Sequence, residues 1–201
     1  MYQDLESELG GLSFRANIAV ALAVIYAALI VLDLAVLTWL LIDPQSISNQ
    51  VTIIPFLDSM PVLSQATFIL SAIAVCFWIH QAHKNLFTAD VGGLEFTPGW
   101  SIGWFAVPFA NLVMPYRAMR ELWERSLAGS GSPVGFWWGA YLLGNIITRI
   151  SNSSAFQDNP PLLMAAIGEA ALLASAMLLM LIIRRVTAAQ REGIRIESIF
   201  E

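Results

Sequence analysis

Apolar residues in this chain come in long blocks separated by short polar punctuation. The first block, Ile18 to Ile42, holds 25 residues and is interrupted by Asp33 and Thr38. About 20 apolar residues carry a helix across the hydrocarbon core of a bilayer. The block therefore predicts a membrane span over 18–42, with some tilt. Asp43-Pro44 closes it, and residues 43–61, with Pro44, Pro55 and Pro61, predict a loose connection. Val62 to Ala82 predicts a second span that ends in the polar run WIHQAHKN. Residues 134–150 predict a third, shorter and richer in aromatics. SNSSAFQDNPP then forms a turn. Proline at a first helical position forfeits no hydrogen bond, so Pro160 or Pro161 opens a fourth helix over 161–183, closed by Arg184-Arg185.

Residues 98–114 are apolar but punctuated by Pro98, Gly99, Gly103 and Pro108, with Pro115 beyond. The run falls short of the length a span needs, and Pro108 removes one backbone donor and crowds the carbonyl four residues back. A broken backbone survives at membrane depth only where protein or a water-filled cavity covers it. The segment is predicted to be re-entrant or interfacial, with a kinked fifth span as the alternative. Basic residues favour the former. With four crossings and both termini cytoplasmic, nine of the ten Lys and Arg lie on the inner side and Arg149 toward the outer. Residues 115–126 predict an amphipathic surface helix. Tyr116, Met119, Leu122 and Trp123 share one face, and Arg117/Glu121, Arg120/Glu124 and Glu121/Arg125 pair at i,i+4 on the other.

Composition agrees with an all-α integral membrane protein. The chain is 57% hydrophobic and 12% charged, against about 25% charged in soluble domains. A net charge of −5 excludes the basic stripe of a nucleic-acid binder. Cys76 is the single cysteine and cannot form an intramolecular disulfide. The acidic start, MYQDLESELGG, lacks the basic region of a signal peptide, so the first block reads as an uncleaved span. The bilayer is the expected partner. A second copy or another membrane protein could join through small-residue stripes, Gly135/Gly139 and Ala166/Ala170/Ala174.

The block FTPGWSIGWFAVPFANLVMPYRAMRELW, preceded by FWIHQAHKNL, resembles a bacterial family of small multi-pass membrane proteins known as a domain of unknown function, number 4328. The resemblance rests on Pro98-Gly99-Trp100, Gly103-Trp104, Pro108-Phe109-Ala110-Asn111, Pro115-Tyr116-Arg117 and Trp137-Trp138. It implies a multi-span fold in the bacterial inner membrane, and no reaction, substrate or cofactor.

Three ionisable residues interrupt apolar blocks: Asp33, Arg149 and Glu169. Charges at membrane depth are costly unless paired. The three could form a buried cluster, either a structural ion pair or a site for an ion, proton or polar solute. His80 and His83 stand one turn apart and could share a metal, but third and fourth ligands are wanting, with Asp90 and Glu95 the near candidates. Interfacial histidines without metal are the simpler reading. Asn111 is expected to partner backbone freed near Pro108, or to line a polar entrance with Ser101. No nucleophile motif, phosphate loop, dinucleotide fingerprint or zinc signature is present, and no cofactor is expected. The sequence thus reads as a non-enzymatic assembly, regulatory or interaction protein, with a small transporter or channel component as the alternative.

Overall fold

A computed structural model describes residues 2–43, 54–127, 131–153, 155 and 161–200. All regular structure among them is helical. The long elements are α1 (Tyr2–Ile42), α2 (Ile54–Thr88) and, near the C-terminus, α6 (Leu162–Phe200). Between α2 and α6 lie α3 (Trp100–Gly103), α4 (Met114–Leu127) and α5 (Val134–Ser151).

Among the described residues, three helical stretches are long and apolar enough to cross a membrane: Gly10–Ile42, Ser59–Thr88 and Leu162–Gly193. At 1.5 Å per residue they measure roughly 45–50 Å, well beyond a hydrocarbon core of about 30 Å. The helices therefore outrun the apolar blocks that predict them. No proline interrupts residues 2–17 or 184–200. Isolated glycines such as Gly193 cost about 1 kcal/mol each in a helix, too little to stop it. The connection expected over 43–61 is likewise shorter: α2 begins at Ile54 and includes Pro61. That proline lies two turns in, where its missing N–H removes a single bond near the helix start. Residues 44–53 of that connection lie outside the described residues. The third expected span, 134–150, coincides with α5, an 18-residue helix that Asn145, Thr148 and Arg149 make less apolar than the three long stretches.

Residues 98–114 do not form one helix. After α3 come two 3-10 turns, Trp104–Ala106 and Ala110–Leu112. The Trp104 carbonyl, beyond the reach of the missing Pro108 donor, accepts from the Val107 N–H at 3.3 Å. Ala110 N–H then bonds the Pro108 carbonyl at 2.8 Å, which throws Phe109 to φ +63°. Local backbone turns, not the exposed Asn111 side chain, satisfy the groups around the proline.

The chain forms two compact units. The first comprises Met1–Ala21, Ser71–Gly135 and Leu179–Glu201; the second comprises Leu22–Leu70 and Phe136–Leu178. In the first unit, Trp78 and Ile79 of α2, Met119 and Leu122 of α4, and Ile182, Ile183 and Val186 of α6 are buried. The apolar face of α4 is thus part of a protein core, where the sequence predicts a surface helix. Its face also differs slightly from the predicted one: Ala118 and Pro115 are buried with it, and Tyr116 is half-buried.

In the second unit an aromatic series runs Tyr26–Phe68–Tyr141–Trp138–Trp137, with ring centroids 5.0–6.2 Å apart. Here α5 and α6 approach closely at Gly144 and Gly168. A Cβ on Gly144 would lie 2.8 Å from Leu172 and 3.0 Å from the Gly168 carbonyl. One on Gly168 would lie 2.7 Å from Thr148 Oγ1. The small residues picked out from sequence make no such approach within this chain: Gly135 and Gly139 face open space, and Ala170 and Ala174 are exposed.

Candidate functional site

The polar interior of the first unit is the most organised constellation in the molecule. Arg15 of α1 donates from Nη1 to Gln81 Oε1 of α2. Gln81 Nε2 donates to Asn85 Oδ1 at 2.9 Å, and Asn85 Nδ2 to Gln190 Oε1 of α6 at 3.3 Å. Gln190 Nε2 then donates to the Ala82 carbonyl at 3.1 Å and to Ser126 Oγ of α4 at 3.0 Å. The order of donors is set at one end. Arginine can only donate, so each amide accepts from the preceding residue and donates to the next. Gln81, Asn85 and Gln190 are all buried, and buried polar groups of this kind cost stability unless each is paired. Beside the line, Trp78 Nε1–H bonds Thr187 Oγ1 at 3.0 Å.

A second arrangement ties α4 to the turn before the broken segment. The Glu121 carboxylate accepts the backbone N–H of Glu95 through Oε2 and that of Phe96 through Oε1, the latter at 3.2 Å. Arg117 pairs with Glu95 at 2.8 Å, and Arg125 donates to the Gly93 carbonyl at 2.7 Å. Of the three i,i+4 pairs expected on α4, Arg120/Glu124 forms, at 2.7 Å. Its hydrogen bond holds the Arg120 guanidinium above its usual range. Glu121 and Arg125 instead turn to the 93–96 backbone.

The two histidines do not converge on one point. His80 Nδ1 bonds the Pro98 carbonyl at 2.9 Å. A carbonyl only accepts, so that nitrogen carries the hydrogen. Ser101 Oγ–H donates to the same oxygen at 2.8 Å. His80 and Ser101 thereby hold the Pro98-Gly99-Trp100 turn, and Trp100 packs on Trp104 with centroids 5.0 Å apart. A Cβ on Gly103 would come within 3.1 Å of the Trp100 ring, which explains a small residue there. His83 is sealed within the unit and lies 3.7 Å from Glu121. Among the described residues no group of three or more His, Cys, Asp or Glu gathers as a metal ion would require. Asp90 is exposed in a turn with φ +52°.

The three charges singled out in apolar blocks belong to helices of the second unit. Asp33 is half-buried and accepts from Ser64 Oγ at 3.5 Å. Glu169 is half-buried, and the two carboxylates lie within electrostatic reach of each other and of Tyr26. Arg149 is exposed near the end of α5 and forms no ion pair with either carboxylate among the described residues.

Sequence reasoning missed Gln81, Asn85 and Gln190, and placed Glu121 on the polar outer face of its helix, where the structure buries it. One signal was available: Trp78, Gln81 or Ala82, and Asn85 recur at helical spacing, marking a polar stripe on a helix otherwise apolar.

These features define a protein whose regular structure is helical throughout the described residues, with three helices among them apolar and long enough for a bilayer and a polar, hydrogen-bonded interior. The sequence model of the family described as Domain of unknown function (DUF4328) matches residues 56–188, about two thirds of the chain, and the protein belongs to that family. The match takes in α2, the broken segment, α4, α5 and most of α6. No curated protein and no solved structure is similar to it.

Proposed function

We propose that the chain is a multi-pass protein of the bacterial inner membrane with four crossing helices, α1, α2, α5 and α6, and both ends in the cytoplasm. Its role is non-catalytic: assembly, regulation or interaction with another membrane component. The observation that carries the role is the hydrogen-bonded line from Arg15 to Ser126. It engages Arg15, Gln81, Asn85, Gln190 and Ser126, contributed by four helices, in holding those helices together. The topology is supported by the membership of the first unit, which contains both terminal stretches and the whole broken segment. A crossing by residues 98–114 would carry it away from the chain ends. Lipid-facing character on α5 is supported by the exposure of Phe136, Leu143 and Ile146.

Cysteine labelling of intact cells tests the topology. With Cys76→Ala as background, Phe87→Cys and Phe105→Cys label only after the inner face is made accessible. Ala155→Cys labels from outside. Reaction of Ala155→Cys and Phe87→Cys from the same side overturns four crossings.

A second reading, a small transporter or channel component, is favoured by Asp33 and Glu169, two half-buried carboxylates without a matching arginine. Here Asp33→Asn and Glu169→Gln leave a well-folded protein and abolish cation or proton flux in proteoliposomes. In the non-catalytic reading the same changes lower expression or folding, and wild-type proteoliposomes pass neither.

A further inference from the structure

Glu121 is a buried carboxylate that forms no ion pair with a lysine or arginine among the described residues. Arg117 is taken by Glu95, and Arg120 by Glu124. Two backbone N–H groups meet part of the charge, and the cationic partner within reach is His83, at 3.7 Å. His83 is 0% exposed and Glu121 8%. His83 Nδ1–H donates to the Ile79 carbonyl at 3.1 Å, so the neutral ring keeps its hydrogen on Nδ1. Nε2 is then a buried lone pair with no hydrogen-bond partner, and it faces a carboxylate oxygen. Two acceptors look at each other with no hydrogen between them.

We propose that the space between His83 Nε2 and Glu121 Oε1 is a proton-binding site, and that loading it controls the grip of Glu121 on the turn leading into the broken segment. The step is a simple protonation: a proton from water adds to the Nε2 lone pair, and the imidazolium then donates from both nitrogens. A separation of 3.7 Å exceeds normal hydrogen-bond range, so closing the pair draws Oε1 toward α2. Oε1 is the same atom that accepts the Phe96 N–H, whereas Oε2 holds the Glu95 N–H. Loading therefore loosens the Phe96 bond and spares the other. The surrounding titratable and charged groups are few. On α2, His80 is tied to Pro98, and Lys84 is exposed and engaged; on α4, Arg120 is paired with Glu124, and Arg125, one turn from Glu121, holds the Gly93 carbonyl; in the 91–97 turn, Glu95 is tied to Arg117; on α1, Arg15 is engaged with Gln81. From α6 come uncharged Thr187 and Gln190.

The test uses the full chain in lipid nanodiscs. His80→Gln leaves His83 as the single imidazole, and its ring nitrogen-15 signals report charge and tautomer directly. Over a titration from about pH 8 to about pH 3, wide enough to take in the ordinary histidine range and the lower values that burial of an imidazole favours, the ring is expected to pass from the Nδ1–H form to the doubly protonated form. Over the same interval the Phe96 amide loses about fivefold in exchange protection, the equivalent of one net hydrogen bond, while Glu95 holds. In Glu121→Gln the new amide donates to Nε2 and keeps one backbone bond, so the ring stays neutral and Phe96 protection is flat. A ring that titrates without moving Phe96, a ring that never charges, or a Glu121→Gln profile matching the parent each overturns the proposal. Where Glu121→Gln does not assemble, His83→Gln supplies a permanent donor to Oε1, and a wild-type pH response at Phe96 in that variant overturns it equally.

Discussion

Single residues in this protein are explained by what they are bonded to across long stretches of chain. Gln190 is the clearest case. Its side chain meets Asn85, Ala82 and Ser126 at once, over 100 residues from the first two in sequence. Gln190→Ala strands the Asn85 Nδ2 donor in a buried setting and removes the bonds to the Ala82 carbonyl and Ser126. Each such loss costs about 1–3 kcal/mol, so thermal unfolding in mild detergent is expected to fall by several degrees, while Asn152→Ala at an exposed position leaves it unchanged. Sequence reading isolates residues by their oddity within an apolar block. That approach finds Asp33, Glu169, His80 and His83. It passes over Gln81 and Asn85, which sit beside histidines in a run that looks like an interfacial boundary. It also passes over Gln190 and Glu121, which sit in charged helices where polar residues look ordinary. What makes them buried is tertiary packing, invisible to local pattern.

At the scale of elements, helix existence is legible and helix extent is not. Apolar blocks announce α1, α2, α5 and α6, and the charge pattern of 115–126 announces α4. Their ends run further because the flanking residues, though polar, carry no breaker strong enough to stop a helix already supported by packing. The broken segment is legible for the opposite reason: Pro108 forbids the continuation that its apolar neighbours would permit. Small-residue motifs do not point to the close approach within the chain. GxxxG spacing at Gly135 and Gly139 is read from one helix alone, but close approach needs two, and the pair that meets is Gly144 with Gly168. Gly168→Ala forces a methyl against Thr148 Oγ1 and the Thr148 backbone, and overpacking of this kind costs about 1–3 kcal/mol. Gly139→Ala meets nothing and gains up to about 1 kcal/mol of helix propensity. Unfolding of the two variants in the same detergent is expected to shift in opposite directions.

For the whole molecule, composition alone separates the chain from ordinary soluble domains, and three helices with membrane-crossing length and apolarity agree. Sidedness is the property that composition constrains least, because it depends on whether one short segment crosses. The positive-inside bias and the membership of the first unit point the same way, and the accessibility of residue 155 against residue 87 is the measurement on which the proposed four-crossing topology rests. Partner chemistry leaves no mark on composition, because a hydrogen-bonded interior defines which helices hold together and not what the outer surface meets.

Phe109 combines two features that each disfavour the residue. Its backbone sits at φ +63°, a conformation that costs a side-chain-bearing residue about 1–2 kcal/mol, and its ring is 86% bare. In water, glycine would serve better on both counts. Acyl chains reverse the preference at the ring, since withdrawing a phenyl group from water returns roughly 1.5–3 kcal/mol, enough to outweigh the awkward turn. In the membrane setting proposed for this segment, a phenylalanine at the apex of the proline-made bend makes thermodynamic sense as a plug whose socket is the lipid itself.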